Sequence, residues 1–143
     1  SVTNQIYISR CAIAHMARAG GGRLVFLTSG AAVMPPPVGA SLLYAASKAA
    51  LNRVPGYINF EHEADGVLAF LIEPQFTLTD SMKARWGSDA AETIGGGYPV
   101  RKPEETARTI AWLLTHPEAG RFANGEMLDA PDFFSIHGIN PAA

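Results

Sequence analysis

Residues 24–30 of the chain read Leu24-Val25-Phe26-Leu27-Thr28-Ser29-Gly30. An apolar run of this length, followed at once by small hydroxyl residues and a glycine, is typical of a buried β-strand. Open α/β sheets bind their ligands at the carboxyl ends of their strands. Ser29 stands at such an end, and it is therefore a candidate functional residue.

A second stretch places two reactive side chains one helical turn apart. It reads Tyr44-Ala45-Ala46-Ser47-Lys48 and opens a predicted helix, with Ser41 as a plausible N-cap. Tyr44 and Lys48 are four residues apart, so they share one helix face. A lysine ammonium beside a phenol favours the phenolate, and such a tyrosine can give or take a proton at a carbonyl or alcohol oxygen. Tyr-x-x-x-Lys alone is a weak pattern, so an exposed tyrosine beside a solvated lysine is the alternative.

Helical and strand patterns alternate along the rest of the chain. We predict helices over residues 1–18, over 41–64 with a kink or break at Pro55-Gly56, and from Pro103 to about His116. Strands are predicted over residues 24–29, 67–72 and 125–129. This alternation is the signature of an α/β fold with a parallel sheet. Right-handed connections then bring residues 73–80 to the same sheet edge as Ser29.

The order of these segments resembles the short-chain dehydrogenase/reductase family. An apolar strand, Thr28-Ser29-Gly30, a proline-rich loop and the Tyr44–Lys48 stretch follow one another as they do in that family, and the resemblance runs along nearly the whole chain. It implies a partial Rossmann-like, doubly wound parallel sheet of about three strands with flanking helices. Residues 1–143 would form a single partial domain, the C-terminal catalytic part without the N-terminal dinucleotide-binding half.

The resemblance also implies an activity and three catalytic residues. The family's members are NAD(P)-dependent oxidoreductases that transfer hydride between nicotinamide and a carbonyl or alcohol substrate. By that likeness Tyr44 is the general acid/base, and Lys48 assists it and holds the nicotinamide ribose hydroxyls. Ser29 would steady the substrate oxygen. The family's fourth relay member, an Asn, aligns with Ser1, so this member is either replaced or lost.

The loop after the second strand resembles the family's nicotinamide loop. Pro74, Thr77 and Thr79 match its pattern, whereas Gln75 stands where glycine is usual. A side chain there could crowd the nicotinamide or hydrogen-bond to it. The residues that choose between NAD and NADP belong to the family's N-terminal half, so the resemblance implies either cofactor.

Two segments near these residues could shape a substrate pocket. The loop over residues 31–39 is either a pocket wall or a packed surface loop, and residues 81–98 are either a lid or a loosely packed loop. The apolar residues of this region suggest a fairly apolar carbonyl compound: Val33, Met34, Pro35, Pro36, Pro37, Leu42, Leu43 and Trp86.

Composition excludes several classes of function. The net charge is −2 with no basic run, which argues against binding to nucleic acid or to an anionic membrane. No apolar run is long enough to cross a bilayer. Cys11, the only cysteine, is predicted to be a small core residue, which fits a reducing cytoplasm. The four histidines lack the spacing of metal ligands, so we expect no metal site.

Assembly is the remaining expectation. Members of the family are often dimers or tetramers joined through the helix that carries Tyr44 and the helix before it. The helix over residues 1–18 is apolar enough to be buried on more than one side.

The first strand would have a bare hydrogen-bonding edge, so the chain alone should be poorly stable and lack full cofactor binding. The alternative function is therefore an inactive remnant that serves as an interaction or structural subunit.

Overall fold

The structure is a computed structural model that describes residues 2–34, 41–87 and 99–141, with the backbone alone at Trp86. The α-helices within these ranges are α1 (Val2–Arg18), α2 (Leu42–Leu51), α3 (Val54–His62), α4 (Asp80–Trp86), α5 (Pro103–Thr115) and α6 (Phe133–Ile136). The β-strands within the same ranges are β1 (Gly22–Leu27), β2 (Val67–Glu73) and β3 (Met127–Asp129). Ser1, the proline loop over 35–40 and the glycine-rich part of the predicted lid lie outside the described residues.

The three strands form one parallel sheet in the order β1-β2-β3. Leu27 of β1 lies opposite Ile72, and Ile72 lies opposite Leu128 of β3. The helices between the strands cover both faces of the sheet, as parallel strands require. The predicted α/β fold, with three parallel strands and flanking helices, is confirmed.

The central strand β2 supplies both cores because its side chains alternate between the two sheet faces. Phe70 and Ile72 pack on one face with residues of α5, β3 and α6, among them Leu113, Leu128 and Phe133. Ala69 and Leu71 pack on the other face with residues of α1, α2 and α3, namely Ile13, Leu51 and Ile58. The prediction of a strand buried on both faces is confirmed.

The strand β1 is less buried than its apolar sequence suggests. It pairs with β2 on one side only among the described residues. Phe26 is buried, whereas Leu27 is 41% exposed. The expected bare edge is therefore present in the part of the chain that the structure describes.

The predicted break in the second helix lies just before the proline. Asn52 and Arg53 separate α2 from α3, and Pro55 occupies the first turn of α3. A proline has no N–H to donate to the preceding turn of a continuous helix, and its ring clashes with that turn. The helix therefore breaks just before Pro55. Asn52 also accepts a hydrogen bond from the buried hydroxyl of Thr28, which fixes the break against the end of β1.

The structure differs from two predictions about the first helix, its burial on more than one side and the burial of Cys11. Only Ser9 and Ile13 of α1 are buried, while Tyr7 and Ile8 are 70% and 66% exposed. Cys11 is exposed too, so its prediction as a core residue was wrong. One face of α1 packs on the sheet, and no described element covers the others.

Helix α6 closes over the core that contains Phe70 and Ile72. Helix α5 begins at Pro103 and is followed by His116, as predicted. The Arg23 guanidinium donates hydrogen bonds of 2.8 Å to the carbonyl oxygens of Leu113 and His116, which fastens the end of this helix to β1. Phe133 of α6 is fully buried, so the tail docks on the core of its own chain.

None of the helices in the described ranges combines the length and the apolar character that a bilayer crossing requires.

Candidate active site

The candidate site lies at the carboxyl edge of the sheet, where β1 and β2 both end. Ser29 follows β1, and Pro74 to Thr77 follow β2. Because the strands are parallel neighbours, their ends are adjacent, and the sequence prediction that the two loops share an edge is confirmed.

Ser29 begins a short 3₁₀ turn over Gly30–Ala32. Its backbone is extended, with φ −157° and ψ 147°, and its Oγ accepts a hydrogen bond of 3.3 Å from the Ala31 N–H. A hydroxyl that accepts in this way keeps its own hydrogen for donation. Ser29 can therefore donate to a substrate oxygen that binds at the sheet edge.

Helix α2 presents the tyrosine and the lysine together. Ser41 occupies its N-cap position, although the Ser41 hydroxyl makes no capping hydrogen bond. The Lys48 Nζ lies 5.7 Å from the centre of the Tyr44 ring, a cation–π distance. The same Nζ donates a hydrogen bond of 2.7 Å to the Leu27 carbonyl oxygen at the end of β1. Lys48 therefore links Tyr44 to the end of β1, two residues before Ser29.

Two half-buried charged side chains at this edge, Lys48 and Glu73, have shifted pKa values. Burial lowers the pKa of Lys48 below its ordinary value, and the nearby charge of Glu73 partly offsets that shift. Burial raises the pKa of Glu73, as does Asp129, while the hydrogen bond from the Gln75 N–H and the charge of Lys48 oppose the rise. The Glu73 Oε2 is buried and has no hydrogen-bond partner among the described residues.

A cleft of about 500 Å³ brings most of the predicted site residues together. It is lined by Ser29 and Tyr44 and by all four loop residues predicted to bind the cofactor, namely Pro74, Gln75, Thr77 and Thr79. Leu27, whose carbonyl oxygen holds the Lys48 ammonium, lines it as well. Lys48 is not one of its lining residues.

A second cavity of about 370 Å³ shares Ser29, Gln75 and Phe76 with the cleft. It is mostly apolar, and Val33 and Met34 line it as predicted. The predicted contribution of Leu42 and Leu43 to the apolar wall was wrong. Both side chains are more than 80% exposed at the start of α2 and line neither space.

The two threonines of the β2 loop are bonded within the chain. The Thr77 hydroxyl donates to the Pro74 carbonyl oxygen at 2.8 Å. The Thr79 Oγ caps α4 by accepting from the Met82 N–H at 3.3 Å. Each hydroxyl keeps further hydrogen-bonding capacity, because a hydroxyl has one donor hydrogen and two acceptor lone pairs.

Gln75 has a left-handed backbone, a conformation that glycine adopts more readily than other residues. Its φ is 56°, a conformation that costs a non-glycine residue roughly 1–2 kcal/mol. Its carboxamide donates to Asp129 and Asp132 and accepts from Arg101. These three partners were missed from the sequence, where the replacement of glycine by glutamine was the only available signal.

Comparison with known proteins gives a consistent result. Residues 1–90 match the family profile described as short chain dehydrogenase. The 2,3-dihydro-2,3-dihydroxybenzoate dehydrogenase of Escherichia coli (strain K12) is 37% identical over 110 residues, covering 68% of this chain and 44% of that protein. A tropinone reductase homolog of Arabidopsis thaliana is 23% identical over 137 residues, covering 94% of this chain and 50% of that protein. The chain thus spans about half the length of these curated relatives.

Solved structures agree with the curated relatives. A short chain dehydrogenase/reductase family protein is 28% identical, with a TM-score of 0.72, and the match covers 88% of this chain and 51% of that one. A 7α-hydroxysteroid dehydrogenase, in complex with NADH and 7-oxo glycochenodeoxycholic acid, shares the fold at 24% identity. Its TM-score is 0.72, with 88% of this chain and 49% of that one covered.

Proposed function

Because this chain belongs to the short-chain dehydrogenase family, we propose that it forms the catalytic part of an NAD(P)-dependent oxidoreductase. The reaction transfers hydride between the nicotinamide and a carbonyl or alcohol carbon of a small-molecule substrate. Residues 1–143 act as one partial domain. The observation that carries this proposal is the cleft at the sheet edge that contains Ser29, Tyr44 and the loop after β2.

The chain's own residues have distinct roles in this proposal. A bound nicotinamide supplies or accepts the hydride. Tyr44 gives a proton to the substrate oxygen during reduction and takes it back during oxidation. Lys48, whose Nζ lies 5.7 Å from the Tyr44 ring centre, holds a positive charge beside the phenol. Ser29 donates its free hydrogen to the same substrate oxygen and so orients the carbonyl group.

The cleft suits a nicotinamide nucleotide in size and in chemistry. Its volume of about 500 Å³ lies within the range of small-molecule sites. Lys48, which lies beside the cleft and does not line it, uses one N–H on the Leu27 carbonyl oxygen and has two left for ribose hydroxyls. Thr77 and Thr79 add hydroxyl groups at the same edge. The proposal therefore assigns Tyr44, Lys48 and the Pro74–Thr79 loop to cofactor binding, with either NAD or NADP as the cofactor.

We also propose that the protein is a cytoplasmic homo-oligomer, a dimer or tetramer. A groove of about 390 Å³ runs between α1 and α3 and is lined by apolar side chains such as Ile6, Val54 and Tyr57. Phe60 of α3 is 85% exposed, and Tyr7 of α1 is 70% exposed. Such exposed apolar surface is typical of an interface between subunits.

The same exposed surface favours the second candidate function, a structural or interaction subunit without catalysis. The two functions differ in what they require of the cleft. An interaction subunit needs the faces of α1 and α3, whereas an oxidoreductase needs a cleft that binds nicotinamide. Cofactor binding therefore separates them.

A fluorescence titration of the full-length protein with NADH and NADPH tests the proposal, since the chain alone is expected to lack full cofactor binding. Trp112 lies on α5, which lines the cleft with Thr106, Ala107 and Ile110, so binding of a reduced cofactor should quench its emission by energy transfer. We expect saturable binding that Lys48→Met weakens by about tenfold, the value of one hydrogen bond from a charged donor. Tyr57→Phe, which alters the groove between α1 and α3, is the control and should leave the affinity unchanged. The absence of saturable binding up to millimolar cofactor would favour the structural subunit for this chain.

A further inference from the structure

The loop after β2 contains a strained residue that is held by an extensive set of hydrogen bonds. Gln75 is the non-glycine residue with positive φ in the described ranges. A side chain in this region of the backbone persists only where its surroundings hold it in place. The contacts that hold Gln75 therefore bear on the shape of the cleft.

The carboxamide of Gln75 has partners for both of its ends. Its Nε2 donates to the carboxylates of Asp129, at the end of β3, and Asp132, just before α6. Its Oε1 accepts a hydrogen bond of 2.8 Å from the Arg101 Nε. The backbone N–H of Gln75 donates to the Glu73 Oε1 at 2.9 Å. The residue is therefore bound on its side chain and on its backbone.

Arg101 completes this network from the segment that leads into α5. Its guanidinium forms an ion pair with Asp132 and lies 3.5 Å from the Glu105 carboxylate. Its backbone N–H donates to the Phe76 carbonyl oxygen at 2.8 Å, and Thr77 pairs with it in an isolated parallel bridge. One residue thus binds the Gln75 side chain and the backbone of the two residues that follow.

The position of this loop decides the shape of both spaces at the sheet edge. Gln75 and Phe76 line the cleft that contains Tyr44 and also the apolar cavity beside Ser29. A shift of the loop would therefore change the walls of both at once. The polar atoms of the Gln75 side chain already have hydrogen-bond partners within the chain, so they do not need a ligand as a partner.

We propose that Gln75 is a positioning residue for the oxidoreductase reaction, and this inference rests on the function proposed above. Its carboxamide acts through Arg101, Asp129 and Asp132 to hold the Gln75 backbone in the left-handed conformation that a glycine would adopt unaided, and so positions the Pro74–Thr77 loop. The side chain replaces the conformational freedom of glycine by a set of hydrogen bonds. It does not act as a ligand of the nicotinamide.

Two substitutions at this position distinguish positioning from direct contact. Gln75→Met keeps the length and the backbone strain but removes every side-chain hydrogen bond. Gln75→Gly removes the same hydrogen bonds and the strain together. If the carboxamide only holds the backbone, the glycine variant should retain most of the NADH or NADPH affinity and the methionine variant should lose about tenfold of it. If the carboxamide contacts the cofactor, both variants should lose affinity equally, which would overturn the proposal.

Amide hydrogen exchange at Arg101 measures the same loop without any cofactor. Its N–H donates to the Phe76 carbonyl oxygen, so exchange reports how firmly the loop is held. We expect Gln75→Met to exchange about tenfold faster than the unaltered chain at this amide, and Gln75→Gly to be slower than Gln75→Met. Exchange at Phe70 of the central strand is the control for global opening. Unchanged exchange at Arg101 in the methionine variant would overturn the inference, even where no cofactor binds and the proposed function itself fails.

Discussion

The Lys48 ammonium joins the end of β1 to the helix that carries Tyr44. It donates to the Leu27 carbonyl oxygen at 2.7 Å and lies 5.7 Å from the centre of the Tyr44 ring. Leu27 and Tyr44 both line the cleft that contains Ser29. One charged group therefore bridges the strand end and the helix and lies beside the phenol.

This arrangement predicts a large kinetic effect and a small stability effect for Lys48→Met. The substitution removes the charge beside Tyr44, so turnover in the full-length protein should fall by at least about 100-fold, as for other losses of acid–base catalysis. Removing a half-buried ammonium also removes its desolvation cost, so the free energy of unfolding should change by less than about 1 kcal/mol. Steady-state kinetics and urea denaturation measure the two effects. A loss of stability that accounts for the whole loss of turnover would contradict this role.

The raised pKa of Glu73 predicts a specific dependence of stability on pH. The folded chain holds the Glu73 proton more tightly than the unfolded chain, whose glutamate titrates at about 4.3. The resulting stabilisation is complete below the unfolded pKa and is lost as the pH rises through the raised folded pKa. Glu73→Gln mimics the protonated form and can still accept from the Gln75 N–H.

We therefore expect Glu73→Gln to flatten the pH dependence of stability in the interval between those two pKa values. At neutral pH the substitution should be neutral or stabilising. Thermal melts between about pH 4 and pH 8 would show it, with Glu118→Gln, an exposed glutamate near α5, as the control. A variant that is less stable than the unaltered chain at neutral pH but equal to it in acid would reverse the predicted sign.

Two buried threonines of α5 allow the effect of a hydrogen-bonded hydroxyl on stability to be compared with that of an unpaired one. Thr109 is fully buried, and its hydroxyl donates to the Ala130 carbonyl oxygen at 2.7 Å. The buried hydroxyl of Thr106 has no hydrogen-bond partner among the described residues. Thr109→Val should cost about 1–3 kcal/mol because it leaves a buried carbonyl unpaired, whereas Thr106→Val should be neutral or stabilising. Chemical denaturation compares them, and equal losses would show that hydrogen bonding does not separate the two sites.

Two phenylalanines separate core packing from exposed apolar surface. Phe133 is fully buried in the core between the sheet and α5, so Phe133→Ala should destabilise the chain by about 3–5 kcal/mol. Phe60 is 85% exposed, and Phe60→Ala should change the stability of the monomer by less than about 0.5 kcal/mol. Denaturation at low protein concentration measures both. Analytical ultracentrifugation of Phe60→Ala adds a readout of assembly, which the proposed oligomer predicts to weaken.

Local patterns were sufficient to predict the sheet and its edge. The continuous apolar run of β2 is the pattern of a strand buried on both faces, and β2 is the central strand. Pro55 and Pro103 mark a helix break and a helix start because the proline ring acts on its own turn. The positions of Ser29 and the Pro74–Thr77 loop along one cleft follow from the parallel order of the strands.

Contacts between distant parts of the chain were not predictable in this way. The partners of Gln75 lie 26, 54 and 57 residues further along the chain, and no spacing in the sequence connects them. Cys11 was expected in the core because α1 is apolar on several faces, yet the described part of the chain covers only one face of that helix. Helical periodicity shows which side chains share a face, but the neighbours that cover a face are set by tertiary packing.

The central claim is that Tyr44 handles the proton of an NAD(P)-dependent hydride transfer, and turnover of Tyr44→Phe in the full-length protein tests it most directly. The control is Tyr57→Phe, which removes a tyrosine hydroxyl from the groove between α1 and α3. Nicotinamide absorbance is followed with a panel of carbonyl substrates. We predict that Tyr44→Phe lowers turnover by about 100-fold to 10,000-fold while cofactor affinity stays within a few-fold, and that Tyr57→Phe remains active. Turnover by Tyr44→Phe equal to that of the control would contradict the account.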